Sequence, residues 1–222
     1  MNTQHDSLAT SAILMEFLAS RICHDLISPV GAVHNGVEFL EDMGSEVDPE
    51  ALALIAYSAS QASAKLQCFR MCYGAGGRDP NIKPADVQKA FAELIDADKK
   101  FTQDWDPYAD LGFGEDRPLG YCKTLMGCLM LAQECLPRGG KISVMPHETG
   151  QETLIVAEGQ DDAPHENYDR ALTLDIAPEN LDPRLVHPYA VSVIARSCGL
   201  SVRLTNIAPG RVVISLASDK SL

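Results

Sequence analysis

A histidine, an adjacent acid, a small hydroxyl four residues on and then a proline stand together in Arg21-Ile22-Cys23-His24-Asp25-Leu26-Ile27-Ser28-Pro29. An imidazole close to neutrality is a usable nucleophile or proton carrier near pH 7. A carboxylate beside it can polarise the ring or hold its tautomer. Side chains one residue apart do not ordinarily face each other on a helix, so contact between Asp25 and His24 is an expectation rather than a consequence of spacing.

The element around His24 is legible from its apolar residues. Leu18, Ile22, Leu26, Val30, Val33, Val37 and Leu40 follow 4-4-4-3-4-3 spacing, which is one face of an α-helix. At about 100° per residue, His24 lies nearly opposite that stripe, with Ser20, Arg21, Ser28, Gly31 and Asn35 on its side and Ile27 on its flank. A histidine kept for packing would sit on the stripe. His24 is instead expected to face solvent.

Residues 8–43 read as one long helix ending near Met43-Gly44-Ser45. Asp48-Pro49-Glu50 restarts the chain with a capping Asp, a first-turn Pro and a first-turn acid. A second helix runs to about Tyr73, with Leu52, Ile55, Ala59, Ala62, Leu66, Phe69 and Tyr73 forming a heptad seam. Gly74 to Pro80 reads as a linker. Two such helices make a hairpin with an uncovered apolar face. The seam predicts a homodimer in which two hairpins form a four-helix bundle; the alternative is that the rest of the chain folds back over it. The expected division is 1–77 for the helical, dimerising part and 78–222 for the remainder.

That remainder reads as α+β: a helix from Pro84 to about Lys100, a strand at Phe101–Trp105, an apolar helix from Leu119 to Leu136, and strands at Lys141–Val144 and Glu152–Val156. An acidic stretch from Gly159 to Asp169 leads to a possible strand at Ala171-Leu172-Thr173-Leu174. A helix from about Pro188 to Cys198 precedes a terminal hairpin around Pro209-Gly210. Helices segregated against a mostly antiparallel sheet make a two-layer sandwich.

With 222 residues and a formal net charge of −13, the chain lacks the clustered Lys and Arg that nucleic-acid binding requires. No stretch approaches the roughly 18 apolar residues of a membrane span. The N-terminus has neither the basic start nor the apolar run of a signal peptide, so a cytoplasmic location is expected. Seven scattered cysteines suit reduced core thiols. Cys68 and Cys72 have helical ligand spacing but no matching pair, so no metal is expected. His34 reads as a packed or bundle-edge residue, His5 as part of a frayed terminus, and His147, His165 and His187 as solvated surface.

A helical hairpin with an exposed histidine, followed by an α+β sandwich, resembles the sensor histidine kinases. His24-Asp25-Leu26-Ile27-Ser28-Pro29 looks like their H-box, and the sandwich like their ATPase domain. The nucleotide motifs depart from that pattern. Counted back from Gly139-Gly140, the two Asn positions of the kinase helix correspond to Gly127 and Leu131, neither a magnesium ligand. Ala157-Glu158-Gly159-Gln160-Asp161-Asp162 and Arg184-Leu185-Val186-His187-Pro188-Tyr189 lack the glycines of phosphate-cradling loops.

The histidine motif joined to a degenerate catalytic half resembles the ChpT-type histidine phosphotransferases of alphaproteobacterial cell-cycle relays. The resemblance implies that His24, assisted by Asp25, accepts a phosphoryl group from the receiver-domain Asp of a hybrid histidine kinase (CckA in that relay). It would pass the group to response-regulator receivers that are CtrA-like and CpdR-like. It implies no cofactor on this chain and Mg²⁺ only on the partner receiver. Arg21, Ile27, Ser28, Gly31, Ala32 and Asn35 are the candidate partner-binding residues. Gly31 and Ala32 keep the helix surface low. Arg21 either neutralises phosphoryl oxygens or is a solvated charge. Ile27 is partner contact or the edge of a dimer core. Ser28 orients water or serves the bend at Pro29. Competing functions are an ATP-dependent histidine kinase with an atypical site and a non-catalytic dimeric adaptor that binds receivers.

Overall fold

The computed structural model describes residues 3–43, 48–96, 99–114, 117–148, 150–160 and 164–219. The expected turn at Gly44-Ser45, the loop residues Asp161 and Asp162 and the side chain of His5 lie outside what is described.

Helix α1 (Thr3–Met43) runs unbroken through Pro29, and α2 (Pro49–Cys72) returns beside it. The restart forms as its sequence predicts: Asp48 caps α2 by accepting from the Glu50 N–H at 2.9 Å, with Pro49 in the first turn. The helices approach closely at Gly36, where a Cβ would stand 2.5 Å from Ile55 Cγ1.

Helix α3 (Pro84–Asp96) leads into β1 (Phe101–Asp104), then α4 (Tyr121–Glu134), β2 (Gly140–Pro146) and β3 (Glu152–Gly159). Helices α5 (Tyr168–Thr173) and α6 (Val186–Arg196) precede β4 (Leu200–Ala208) and β5 (Arg211–Ser218). The sheet order is β1-β2-β3-β5-β4, with β1 parallel to β2 and the other neighbours antiparallel. Alternation along β5 turns Val212, Ile214 and Leu216 inward. The class is α+β, a helical hairpin followed by helices packed on a mixed five-stranded sheet.

Two expectations are corrected. Ala171–Leu174 is not a strand: α5 ends at Thr173, and Leu174 turns the chain with φ 62°. Ala171 and Leu172 are both buried, on a short helix that packs against α6 and β4. A short apolar run does not distinguish the two elements by itself. Nor is Gly74–Pro80 a loose linker, because Ala75–Arg78 form a 3₁₀ turn with Gly77 buried. A side chain at Gly77 would collide with the Met71 carbonyl, while Lys123 Nζ donates to the Gly74 carbonyl at 2.6 Å.

The core is continuous across that turn. Cys68, Phe69, Met71 and Cys72 of α2 join Phe91, Leu129, Ile155 and Ile214, with Leu14, Phe17, Ile22 and Leu26 of α1 packed against them. Eleven of the fourteen residues of α4 are buried, because this helix lies between the hairpin, α6 and the sheet. The α/β half thus folds back over the lower part of the hairpin. The upper part keeps Val30, Val37, Phe39, Leu52, Leu54 and Tyr57 exposed.

Candidate functional site

His24 projects from α1 with 88% of its side chain accessible, as its place opposite the stripe predicts. Its Nδ1 lies 3.2 Å from Asp25 Oδ1, so the expected contact between adjacent residues is made. An ionised carboxylate only accepts, which makes Nδ1 the protonated nitrogen in this contact and leaves the lone pair on Nε2.

Pro29 supports this arrangement through what it lacks. The N–H of residue 29 would bond the carbonyl of residue 25, and proline has none. Lys65 Nζ, from α2, donates to the freed Asp25 carbonyl at 3.0 Å. The carbonyl of a site residue is thereby tied to the second helix at the level of the histidine.

Arg21 is not a solvated surface charge. Its side chain is only 18% accessible; the guanidinium Nη2 is paired with Glu134 Oε1, and Nε lies 4.0 Å from Asp25 Oδ2. Burial alone would lower its pKa, but Glu134, Tyr73 and Asp25 outweigh that and raise it, so Arg21 stays charged. Burial pushes the Glu134 carboxyl up against the pull of Arg21. The Tyr168 hydroxyl also donates to Glu134, at 3.4 Å. Helical geometry puts Arg21 on the histidine's face, and its length lets it reach α4 instead.

Ile27, Ser28 and Asn35 are exposed on the histidine's side, and Ile27 is 71% accessible. Apart from the backbone of its own helical turns, no atom lies within 4 Å of where a Gly31 Cβ would stand. The low surface expected there is present. Ala32 and Asn35 border a groove of about 530 Å³ with Gly36, Phe39 and Leu54.

His187, read from sequence as solvated, is completely buried. Its Nε2 donates to the Gly127 carbonyl at 3.0 Å, and Nδ1 accepts from the Tyr73 hydroxyl at 2.5 Å. Burial, then the charge of Arg21, holds its pKa well below the ordinary value against the opposing Gly127 bond, so this imidazole is neutral. Nothing near His187 in the chain signals a partner 114 residues away. His34, expected at a packed edge, is exposed and stands 3.3 Å from Glu38. His165 stacks on Tyr168.

The positions matching the kinase asparagines are packed into the interior. A Cβ on Gly127 would stand 2.8 Å from Val191 Cγ2 and 3.1 Å from Cys72 Sγ, and Leu131 is fully buried. Burial pushes the Cys68 and Cys72 thiols up to about 12, as expected of inert core cysteines. Among the described residues, no three His, Cys, Asp or Glu side chains are placed to hold a metal ion. No described helix is long and apolar enough to cross a membrane.

Residues 84–207 match the family model of the histidine phosphotransferase C-terminal domain. The protein phosphotransferase ChpT of Brucella abortus (strain 2308) is 34% identical over 192 residues, covering 84% of this chain and 87% of that one. A solved bacterial phosphotransferase superposes with a TM-score of 0.70 at 32% identity, covering 91% of this chain and 95% of the other.

Proposed function

The chain belongs to the histidine phosphotransferase family, and from that premise we propose that His24 is its transient phosphoryl carrier. The observation that carries the reading is an exposed imidazole whose Nδ1 is held by Asp25, leaving Nε2 free toward solvent. In the forward step the Nε2 lone pair attacks the phosphorus of a receiver's aspartyl phosphate. The bond to the aspartyl oxygen breaks in line, and the aspartate leaves as carboxylate. Asp25 faces the ring proton on Nδ1 and stabilises the positive charge that develops as Nε2 is phosphorylated. The reverse geometry delivers the group to the Asp of a second receiver. Phosphoryl transfer asks mainly for positioning and charge neutralisation, and the receiver's own Mg²⁺ supplies the latter.

Donor and acceptor receivers are proposed to dock on the exposed strip of Ile27, Ser28, Gly31 and Asn35 and on the groove reaching Ala32. The donor is the receiver domain of a hybrid histidine kinase, and the acceptors are response-regulator receivers of the CtrA-like and CpdR-like kind. Ten of the fourteen large apolar side chains left exposed among the described residues lie on α1 and α2. That concentration supports a homodimer whose hairpins complete a four-helix bundle. In this reading residues 1–77 carry phosphate and dimerise, and residues 78–222 help to dock receivers. The close packing of Gly127 against Val191 and Cys72 supports a chain that takes phosphate from other proteins and not from ATP.

Incubation with labelled ATP, and separately with a phosphorylated receiver domain, tests the proposal. Label is expected on the wild-type chain only from the phospho-receiver, and on His24→Ala from neither. Label from ATP alone overturns the shuttle. No label from any phospho-receiver leaves a non-catalytic adaptor.

A further inference from the structure

We propose that Glu134 is a positioning residue for phosphotransfer: from α4 it holds the Arg21 guanidinium, so that Asp25 keeps its oxygen on His24 Nδ1. The inference rests on His24 being the carrier.

The connected groups come from three elements. The Tyr168 hydroxyl on α5 donates to Glu134 on α4, and Glu134 pairs with Arg21 on α1. Arg21 Nε stands 4.0 Å from Asp25 Oδ2, and the other oxygen of that carboxylate meets His24. All the side chains behind the histidine are largely shielded, with Arg21 18%, Glu134 23% and Asp25 29% accessible, against 88% for His24. An exposed reactive ring therefore rests on a sheltered chain of charges anchored in the α/β half.

Arg21 Nε is a buried donor without a hydrogen-bond partner. A cavity of about 280 Å³ bordered by Arg21, Asp25, Lys65, Gln133 and Glu134 leaves room for the guanidinium and the carboxylate to close their remaining distance. Two anions compete for one guanidinium. While Glu134 holds it, Asp25 keeps an oxygen for the imidazole. With Glu134 neutral, Asp25 is the carboxylate left beside Arg21 among the described residues and is drawn off the ring. Losing the Nδ1 contact frees the ring to place its proton on Nε2, the nitrogen that must attack.

The test compares Glu134→Gln and Glu134→Asp in the full-length chain. Glutamine removes the charge at nearly constant shape; aspartate keeps it. Expected for Glu134→Gln is a fall in kcat for transfer from a phospho-receiver of about tenfold to 100-fold, the scale of a small misplacement of a reacting group. KM for the receiver stays within about twofold, since docking residues are untouched. The ring ¹⁵N signals of His24 shift toward the Nε2–H tautomer. Glu134→Asp restores both the rate and the signals toward wild type. Wild-type kcat and ring signals in a folded Glu134→Gln protein overturn the proposal and leave Glu134 a staple between helices. Should Glu134→Gln not fold, Arg21→Lys, whose shorter side chain and single ammonium favour Asp25 four residues on over Glu134 across on α4, is expected to show the same two effects, and wild-type behaviour there overturns the proposal equally. The ring signals are read without any transfer, so this coupling can fail while His24 remains the carrier. Loss of all transfer in His24→Ala tests the carrier role separately.

Discussion

The lower and upper ends of the helical hairpin are built from the same helices and stand in different surroundings. At the lower end, Cys68, Phe69, Met71 and Cys72 are buried and continuous with the core of the α/β half. At the upper end, Val37, Phe39, Leu52, Leu54 and Tyr57 remain exposed. His24 stands between the two, next to the lower end's charges and below the upper end's apolar surface. The difference teaches that one end is fixed by its own chain, while the other presents surface suited to association. The proposed carrier role, which asks for a ring held still and a surface open to partners, would draw on both.

The sharpest way to break the comparison is to cut the lower end. Phe69 is 6% exposed and stacks on Tyr73 with ring centroids 5.8 Å apart. Phe69→Ala is expected to destabilise the fold by about 3 kcal/mol, the scale of a buried aromatic truncated to a methyl. Urea unfolding followed by the fluorescence of the single tryptophan, Trp105, reads the loss from a buried residue of the same core. A cost below about 1 kcal/mol would show that the lower end is not joined to that core.

A smaller effect comes from pH. His187 ties Tyr73, at the end of α2, to α4 as a neutral imidazole. Its folded pKa lies well below the unfolded value of about 6.5. Between those two values the unfolded chain binds a proton that the folded chain refuses, so stability is full above about pH 6.5 and is lost as pH falls toward the folded value. The slope is about 1.4 kcal/mol per pH unit for one proton. Unfolding free energies at pH 7.5 and 5.5 are expected to differ in wild type, and to differ less in His187→Gln. Equal slopes in the two proteins would remove His187 from the account.

How much of this was legible in the sequence follows from how local each signal is. The face of His24 is set by helical periodicity over a few turns, and the cap at Asp48 by residues two apart; both form as the sequence predicts. The burial of Arg21 and His187 is not legible in the sequence, because their partners, Glu134 and Tyr73, lie 113 and 114 residues away. No window around either residue contains that information. The run Ala171–Leu174 is too short for its period to separate strand from helix. A proline within a helix removes one backbone hydrogen bond wherever it stands, but that Lys65 takes up the freed Asp25 carbonyl depends on how α2 is rotated.

The smallest expected effect on the fold is the most telling for the upper end. Val37 on α1 is 42% exposed, and Leu52 on α2 is 47% exposed. A surface substitution away from core contacts ordinarily changes stability by no more than about 0.5 kcal/mol. Val37→Asp should therefore leave Trp105 fluorescence and the unfolding midpoint of the α/β half close to wild type. The same carboxylate placed inside a four-helix bundle would be a desolvated charge without a partner, which an apolar interface does not tolerate. Sedimentation is then expected to show a dimer for wild type and a monomer for Val37→Asp, with Leu52→Asp behaving alike. If both variants sediment as wild type, the upper end is not the dimer surface. If instead they lose the Trp105 signal along with the dimer, the two ends fold as one unit, and the contrast between an anchored end and an associating one is lost.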